Sequence, residues 1–327
     1  MPDSSGFDLY LSDISPDDKP WDKNRHQAAK IEGLYQLGDF HQYADRIRQC
    51  SRQLLFAMKA NDEGEFKFRL HAAKFCRCRY CPICQWRKSL MWKARFLQAL
   101  PRILEAHPTD RWVFLTLTVR NCPLSELRST AAHMNKSWKR LTERKSFPAR
   151  GWLKSLEVTR GEEDGYAHPH FHVLMQVPAS YFSHGYVTQA EWTELWRKSL
   201  RVEYDPIVHV TAVQNRRRRE KDASQVGLPP EIVSGVLETL KYTVKPDDLF
   251  MDLDSAVNAA WLQGLTEQLH KTRSVALGGV FKQYIKEDEP DDLINAEGDE
   301  IEELKETDIT MLFGWRENYQ RYVKIER

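Results

Sequence analysis

Apolar and polar positions along this chain follow two periods. Trp112-Val113-Phe114-Leu115-Thr116-Leu117-Thr118-Val119 is an almost unbroken apolar run rich in β-branched and aromatic residues, which predicts a buried strand. Gly151 to Arg160, Pro169 to Val177 and Pro206 to Val213 read as three more strands, the first two joined by the turn-like Gly161-Glu162-Glu163-Asp164-Gly165. Two short apolar runs, Leu54 to Met58 and Phe66 to Leu70, flank Asn61-Asp62-Glu63-Gly64-Glu65 and predict a β-hairpin.

Between these lie helical patterns: 26–52, a basic amphipathic stretch from Gln85 to Leu100, Pro123 to Lys145, Thr188 to Leu200, and Pro229 to Val244. Ser255 to Lys271 and Asp308 to Tyr322 read as two further helices flanking an acidic stretch. Helix-separated strands with one hairpin imply an α+β fold, a central antiparallel sheet flanked by helices. The expected organisation is a flexible polar arm over 1–24, a zinc-binding module with its basic helix over 25–106, a catalytic core over 107–250, and a C-terminal helical region with the acidic segment over 251–327.

Charge changes the picture more than composition does. The formal charge of the 327 residues is +1, yet Glu287 to Asp308 alone carries a net −11, so the rest of the chain carries +12. A basic body of this kind suits a polyanionic partner. No apolar run approaches membrane-spanning length and Met1-Pro2-Asp3-Ser4-Ser5 is no signal peptide, so a cytoplasmic protein without a membrane partner is expected. Four of the six cysteines fall within Cys76 to Cys84, which reads as metal ligation rather than disulfides.

Cys76, Cys81 and Cys84 have the spacing of a zinc knuckle. Cys50, just before the hairpin, is the expected fourth ligand, because closing the hairpin carries it to Cys76; Cys78 and His71 are the rivals. A structural Zn²⁺ there would aim the following basic helix, with Arg87 and Lys88 as candidate DNA contacts. Arg216 and Arg217 in the basic loop, and Lys241 and Lys245 near the end of the 229–244 helix, are further candidates.

The second candidate centre is His168-Pro169-His170-Phe171-His172. A strand points alternate side chains to one face, so His170 and His172 project together. Glu157, flanked by apolar residues on the preceding strand, is placed to join them, and two imidazoles with a carboxylate suit Mn²⁺ or Mg²⁺ with positions left for substrate oxygen. Pro169 disturbs the strand before it, so His168 is expected to support ligands rather than be one. On the Pro229–Val244 helix, Glu238, Tyr242 and Lys245 share the polar face; a Tyr hydroxyl can attack a phosphodiester and a Glu one turn away can activate water.

In order, Phe114-Leu115-Thr116-Leu117-Thr118, the His-hydrophobe-His element, and Glu238-x-x-x-Tyr242 resemble the replication initiators (Rep proteins) of rolling-circle plasmids, in the HUH endonuclease superfamily. The resemblance is to the branch with one catalytic Tyr and a Glu one turn earlier. The Leu11-Ser12-Asp13 arm with Lys19-Pro20-Trp21-Asp22-Lys23, and Phe75-Cys76 through Arg87-Lys88, are also similar to that branch, and together these features cover about residues 10 to 250. The resemblance implies a metal-dependent origin nickase and strand transferase. His170, His172 and Glu157 would hold the divalent metal, Tyr242 would form a 5′-phosphotyrosine and free a 3′-OH primer, and Glu238 would activate water at termination. Its partners would be single-stranded and hairpin or double-stranded origin DNA, with a host helicase and DNA polymerase. Two rivals stand beside it: a zinc-stabilised non-catalytic DNA-binding regulator, and a histidine-triad nucleotide hydrolase.

Overall fold

The computed structural model describes residues 8–60, 66–161, 165–213, 228–240, 249–251, 254–286, 291–297 and 309–325. In chain order the described elements begin with α1 (Leu11–Ile14), α2 (Lys19–Leu37), α3 (His41–Arg48), β1 (Gln53–Ala60), β2 (Phe66–Ala73) and α4 (Pro82–Ala106). There follow β3 (Arg111–Thr118), α5 (Leu127–Thr142), β4 (Gly151–Arg160), β5 (Ala167–Val177), α6 (Gln189–Leu200) and β6 (Val208–Ala212). The chain continues with α7 (Pro230–Thr239), α8 (Ser255–Gln268), β7 (Val275–Gly279), α9 (Phe281–Tyr284), β8 (Ile309–Arg316) and β9 (Arg321–Ile325).

The fold is α+β, with two antiparallel sheets flanked by helices. The chain divides into two compact units. One holds residues 1–91, 252–263 and 291–327, with a sheet ordered β2-β1-β8-β9. The other holds residues 92–251 and 264–290, with a sheet ordered β6-β3-β5-β4-β7. The expected boundaries at 106 and 250 are therefore corrected: the C-terminal region is no separate body, because its strands complete sheets begun elsewhere.

In the first unit the 10–24 stretch is no flexible arm. It folds as short helices leading into α2, and Trp21 is fully buried among Phe75, Trp86 and Tyr322. The single helix expected over 26–52 is broken at Gly38 into α2 and α3. The helix expected over Asp308 to Tyr322 is instead the hairpin β8–β9, with β8 paired to β1 from Gln53↔Gly314 to Met58↔Ile309. Phe313, Trp315 and Tyr322 supply its buried face, and the buried Tyr322 hydroxyl donates to the Ser51 carbonyl at 2.7 Å. Pairing across some 250 residues overrides local helical propensity. This aromatic core means that the unit does not depend on a metal alone for an interior.

In the second unit β5 is central, bonded to β3 and β4 along its length, and is accordingly buried on both faces. α6 starts at a capping box in which Thr188 and Glu191 satisfy each other's backbone N–H groups, and it stops at Arg201 in the left-handed region. β7 has no readable strand pattern because Gly278 and Gly279 end it. Gly279 has φ +60, and a Cβ there would sit 1.9 Å from the Arg150 carbonyl oxygen, so only glycine fits.

One buried cation lies in this core. Lys154 on β4 is 6% exposed; its Nζ donates to Asn135 Oδ1 at 2.8 Å and lies 3.6 Å from the Phe171 ring centroid. Burial pushes its pKa down to about 7.

Two outcomes are expected. Trp21→Ala should cost about 3–5 kcal/mol in denaturant unfolding, against roughly 0.5 kcal/mol for a solvated arm. The unfolded chain holds the Lys154 proton up to its ordinary value of 10.5 while the folded protein sheds it near 7, so stability rises with pH between those values. Lys154→Met should flatten that rise and raise the melting temperature most on the acidic side, as followed by thermal melts across the range.

Candidate metal centres

The register of β4 against β5 builds the first centre. Glu157 lies directly opposite His170, and His172 lies opposite Ser155 on one side and Thr116 of β3 on the other. Period-two alternation then sends Glu157, His170 and His172 to one face of the sheet. Glu157 Oε2 is 2.8 Å from His172 Nε2 and 3.4 Å from His170 Nε2. Ligands about 2.1 Å from an octahedral ion and at right angles to each other stand roughly 3.0 Å apart, so the three donors fit a hard or borderline divalent cation such as Mg²⁺ or Mn²⁺.

The far nitrogen of each imidazole is also held. His170 Nδ1 lies 3.2 Å from the His168 carbonyl oxygen and His172 Nδ1 lies 3.4 Å from Thr116 Oγ1. With Nδ1 as the donor to the carbonyl, the Nε2 lone pair of His170 is free to face a metal, the usual support for a ligating histidine. The Phe114 ring stacks on His172 at a centroid distance of 5.5 Å. His168 is outside the cluster; its Nδ1 meets Asn121 Oδ1 at 2.6 Å, and it serves the site through its carbonyl. Burial alone would push the Glu157 carboxyl up, but hydrogen bonds and charge from His170 and His172 outweigh it and hold the group well below the usual carboxylate range.

α7 packs over this same face. Leu174 follows His172 on its side of β5, and a Cβ built on Gly235 would lie 3.0 Å from Leu174 Cδ1. Glu238, half-buried in the last turn of α7, is thus carried by a helix that lies across the imidazole face. Tyr242, Lys241, Lys245, Arg216 and Arg217 lie outside the described residues.

The second centre brings together Cys50, Cys76, Cys81 and Cys84, all buried. Cys50 closes the loop before β1, Cys76 follows β2, and Cys81 and Cys84 flank the start of α4, so the β1–β2 hairpin does carry Cys50 to the others. The Sγ atoms of Cys50 and Cys84, Cys76 and Cys84, and Cys81 and Cys50 are 3.6, 3.6 and 3.7 Å apart. Four thiolates about 2.3 Å from a tetrahedral Zn²⁺ are separated by roughly 3.8 Å, so the set fits a structural zinc. Backbone N–H groups of Cys76, Arg77 and Cys78 donate to the sulfurs of Cys50, Cys84 and Cys76 at 3.4, 3.2 and 3.4 Å. Hydrogen bonds from the Cys50, Cys78, Cys81 and Cys84 thiols hold the Cys76 thiol far below its usual range. Cys78 thus lends its amide and His71 takes no part in the cluster.

Arg87 is corrected as a DNA contact. It is 1% exposed, its guanidinium donates to the Leu293 and Ile294 carbonyls at 2.8 and 2.6 Å, it pairs with Glu297, and it sits over the Trp21 and Trp86 rings. Lys88 is half exposed and pairs with Asp291 at 2.9 Å. These two cations bind residues 291–297 of the acidic stretch, because a guanidinium facing inward needs carbonyls and a carboxylate to replace water; Glu297 supplies the carboxylate from a half-exposed position. Sequence pattern alone did not single out Thr116 or Asn121 as supports; both follow only from the register of β3 against β5.

Zinc content should separate the cysteines. Cys50→Ser is expected to lose the metal and destabilise the first unit, whereas Cys78→Ser should keep a full complement of one zinc per chain, measured by metal analysis of the purified protein.

A family model described as "Replication protein" matches residues 67–323. A protein named "Protein rep" from Lactiplantibacillus plantarum is 33% identical over 317 residues, covering 93% of this chain and 95% of the relative. A "Protein rep" from Streptococcus pneumoniae serotype 2 is 32% identical over 316 residues, covering 93% and 92%. A "Replication protein" from Staphylococcus aureus is 32% identical over 233 residues, covering 68% of this chain and 95% of the relative. No solved structure matches significantly. Half of the chain's length is exceeded by the family match and nearly all of it by the relatives: the chain belongs to the Rep family of replication proteins, as its resemblance to plasmid replication initiators implied.

Proposed function

We propose that this protein initiates rolling-circle replication of a plasmid by nicking one strand at the origin, with Tyr242 as the nucleophile. The observation that carries the reading is the convergence of His170 Nε2 and His172 Nε2 on one Glu157 oxygen, on the sheet face crossed by α7, within a chain of the Rep family. Bound there, Mg²⁺ or Mn²⁺ would supply Lewis-acid polarisation of a phosphodiester.

The chain's own residues do the rest. Thr116 and the His168 carbonyl hold the imidazoles in their working orientation. Glu157 stays ionised through the neutral range, so its charge is present whenever the site is used. The Tyr242 hydroxyl gives its proton to water as its oxygen attacks phosphorus, the P–O bond to the upstream sugar breaks, and the electron pair leaves on the 3′-oxygen, which takes a proton from water to become the primer hydroxyl. A 5′-phosphotyrosine remains. Glu238, four residues before Tyr242 in sequence, takes a proton from water when the displaced strand is released. Origin DNA, single-stranded at the nick, is the substrate; a host helicase unwinds the duplex and a host DNA polymerase extends the primer. Cys50, Cys76, Cys81 and Cys84 would hold Zn²⁺ as a structural ion.

Tyr242→Phe should abolish the covalent protein–DNA adduct on a single-stranded origin oligonucleotide with Mn²⁺, while DNA binding persists. Mass spectrometry of the wild-type adduct should find the mass on Tyr242; an adduct on another residue, or none at all, would sink the assignment and favour a non-catalytic regulator. Glu238→Ala should leave the first nick within a few-fold and slow hydrolytic release by roughly 10²-fold or more.

A further inference from the structure

The four-stranded sheet of the first unit has one face that the core does not use. Its aromatic side chains, Phe56, Phe68 and Phe313, cluster on the buried side with centroids 4.7 to 6.0 Å apart. Alternation sends Leu55, Leu312 and Ile325 to the other side, where they floor an open groove of about 650 Å³.

The rim of the groove is basic. Arg52, Lys74 and Arg316 line it. They stand at one end of three adjacent strands: the Trp315 N–H donates to the Arg52 carbonyl at 3.0 Å, and the Ser51 N–H donates to the Lys74 carbonyl at 2.6 Å. Two strand spacings set them on the order of 10 Å end to end, a span that reaches successive phosphates. Gln49 and Gln53 add amide groups, and Gln49 Oε1 steadies Lys74 Nζ at 2.6 Å. Among the described residues no carboxylate lines the groove. Glu317 pairs with Arg52 at 3.4 Å but is 71% exposed, a screened contact that a phosphate can replace at little cost.

We propose that this sheet face is a second DNA-contact surface that holds the phosphate backbone of double-stranded DNA. The inference rests on the reading that the chain acts on DNA, and it concerns a unit that carries none of the nicking residues. Charge complementarity selects the occupant. Unpaired bases need exposed aromatic platforms; among the described residues of these strands Phe56, Phe313 and Tyr322 are buried, Phe68 stacks on Phe56 on the core side, and Trp315, which edges the groove, is only 5% exposed, so a row of cations with amides beside it suits a duplex backbone instead.

The test uses the full chain with Arg52→Ala, Lys74→Ala and Arg316→Ala combined, its zinc content and circular dichroism matched to the parent. Binding is read by fluorescence anisotropy on a mixed-sequence duplex of about 30 base pairs and on one of its single strands, over about 50–200 mM salt. The expected result is at least tenfold weaker duplex binding, a log K against log salt slope shallower by about two to three, and unchanged single-strand binding. Unchanged duplex affinity and slope would overturn the proposal, and so would equal losses on duplex and single strand. Failure of the nicking reading shows separately, as the absence of a Tyr242 adduct in the parent protein.

Discussion

The pairing of Glu157 with His170 across β4 and β5 is the contact on which the second unit's chemistry depends. Side chains in a strand alternate, so a slip of one residue would turn Glu157 to the opposite face and leave two imidazoles without a carboxylate. The register is guarded from both sides. Phe171 and Val173 are fully buried on one face, β3 and β4 both bond along β5, and Lys154 lies against the ring of Phe171, the residue between His170 and His172. A charged amine in a core is costly, yet here it abuts the strand that must not move.

The two centres are built on different logics. The thiol cluster gathers ligands from a loop before β1, the end of β2 and the start of α4, and amide donors to sulfur set the loop shape around it. Soft donors that are fully buried favour a closed site. The imidazole–carboxylate centre uses three residues of two adjacent strands, three donors from one sheet face, fewer than a hard divalent cation takes, so a substrate oxygen could complete the set.

Local pattern made a good part of this legible. The apolar run at 112–119, the alternating histidines and the glutamate between Leu156 and Val158 carried enough period and chemistry to place β3, β4 and β5 and the cluster between them. The spacing of Cys50 from the hairpin was enough to choose it over Cys78, because a hairpin returns the chain to its start. What failed was whatever depends on partners far away in sequence. Ile309 to Arg316 reads as helix in isolation and is a strand only because β1 offers it an edge. Arg87 looks like a surface cation on an amphipathic helix until Trp21, Leu293 and Glu297 surround it. Trp21 sits in a polar stretch whose burial no window of neighbours reveals.

The strand order β2-β1-β8-β9 has a temporal consequence. The ribosome delivers β1 and β2 early and β8 and β9 some 250 residues later, so the sheet of the first unit cannot close during most of synthesis. Until Phe313 and Trp315 emerge, the edge of β1 and the rings of Phe56 and Phe68 wait without their cover, open to other chains. The second unit, whose strands are all delivered by residue 279, can close before then. Birth order therefore makes the unit with the cysteine cluster the last whose sheet can close.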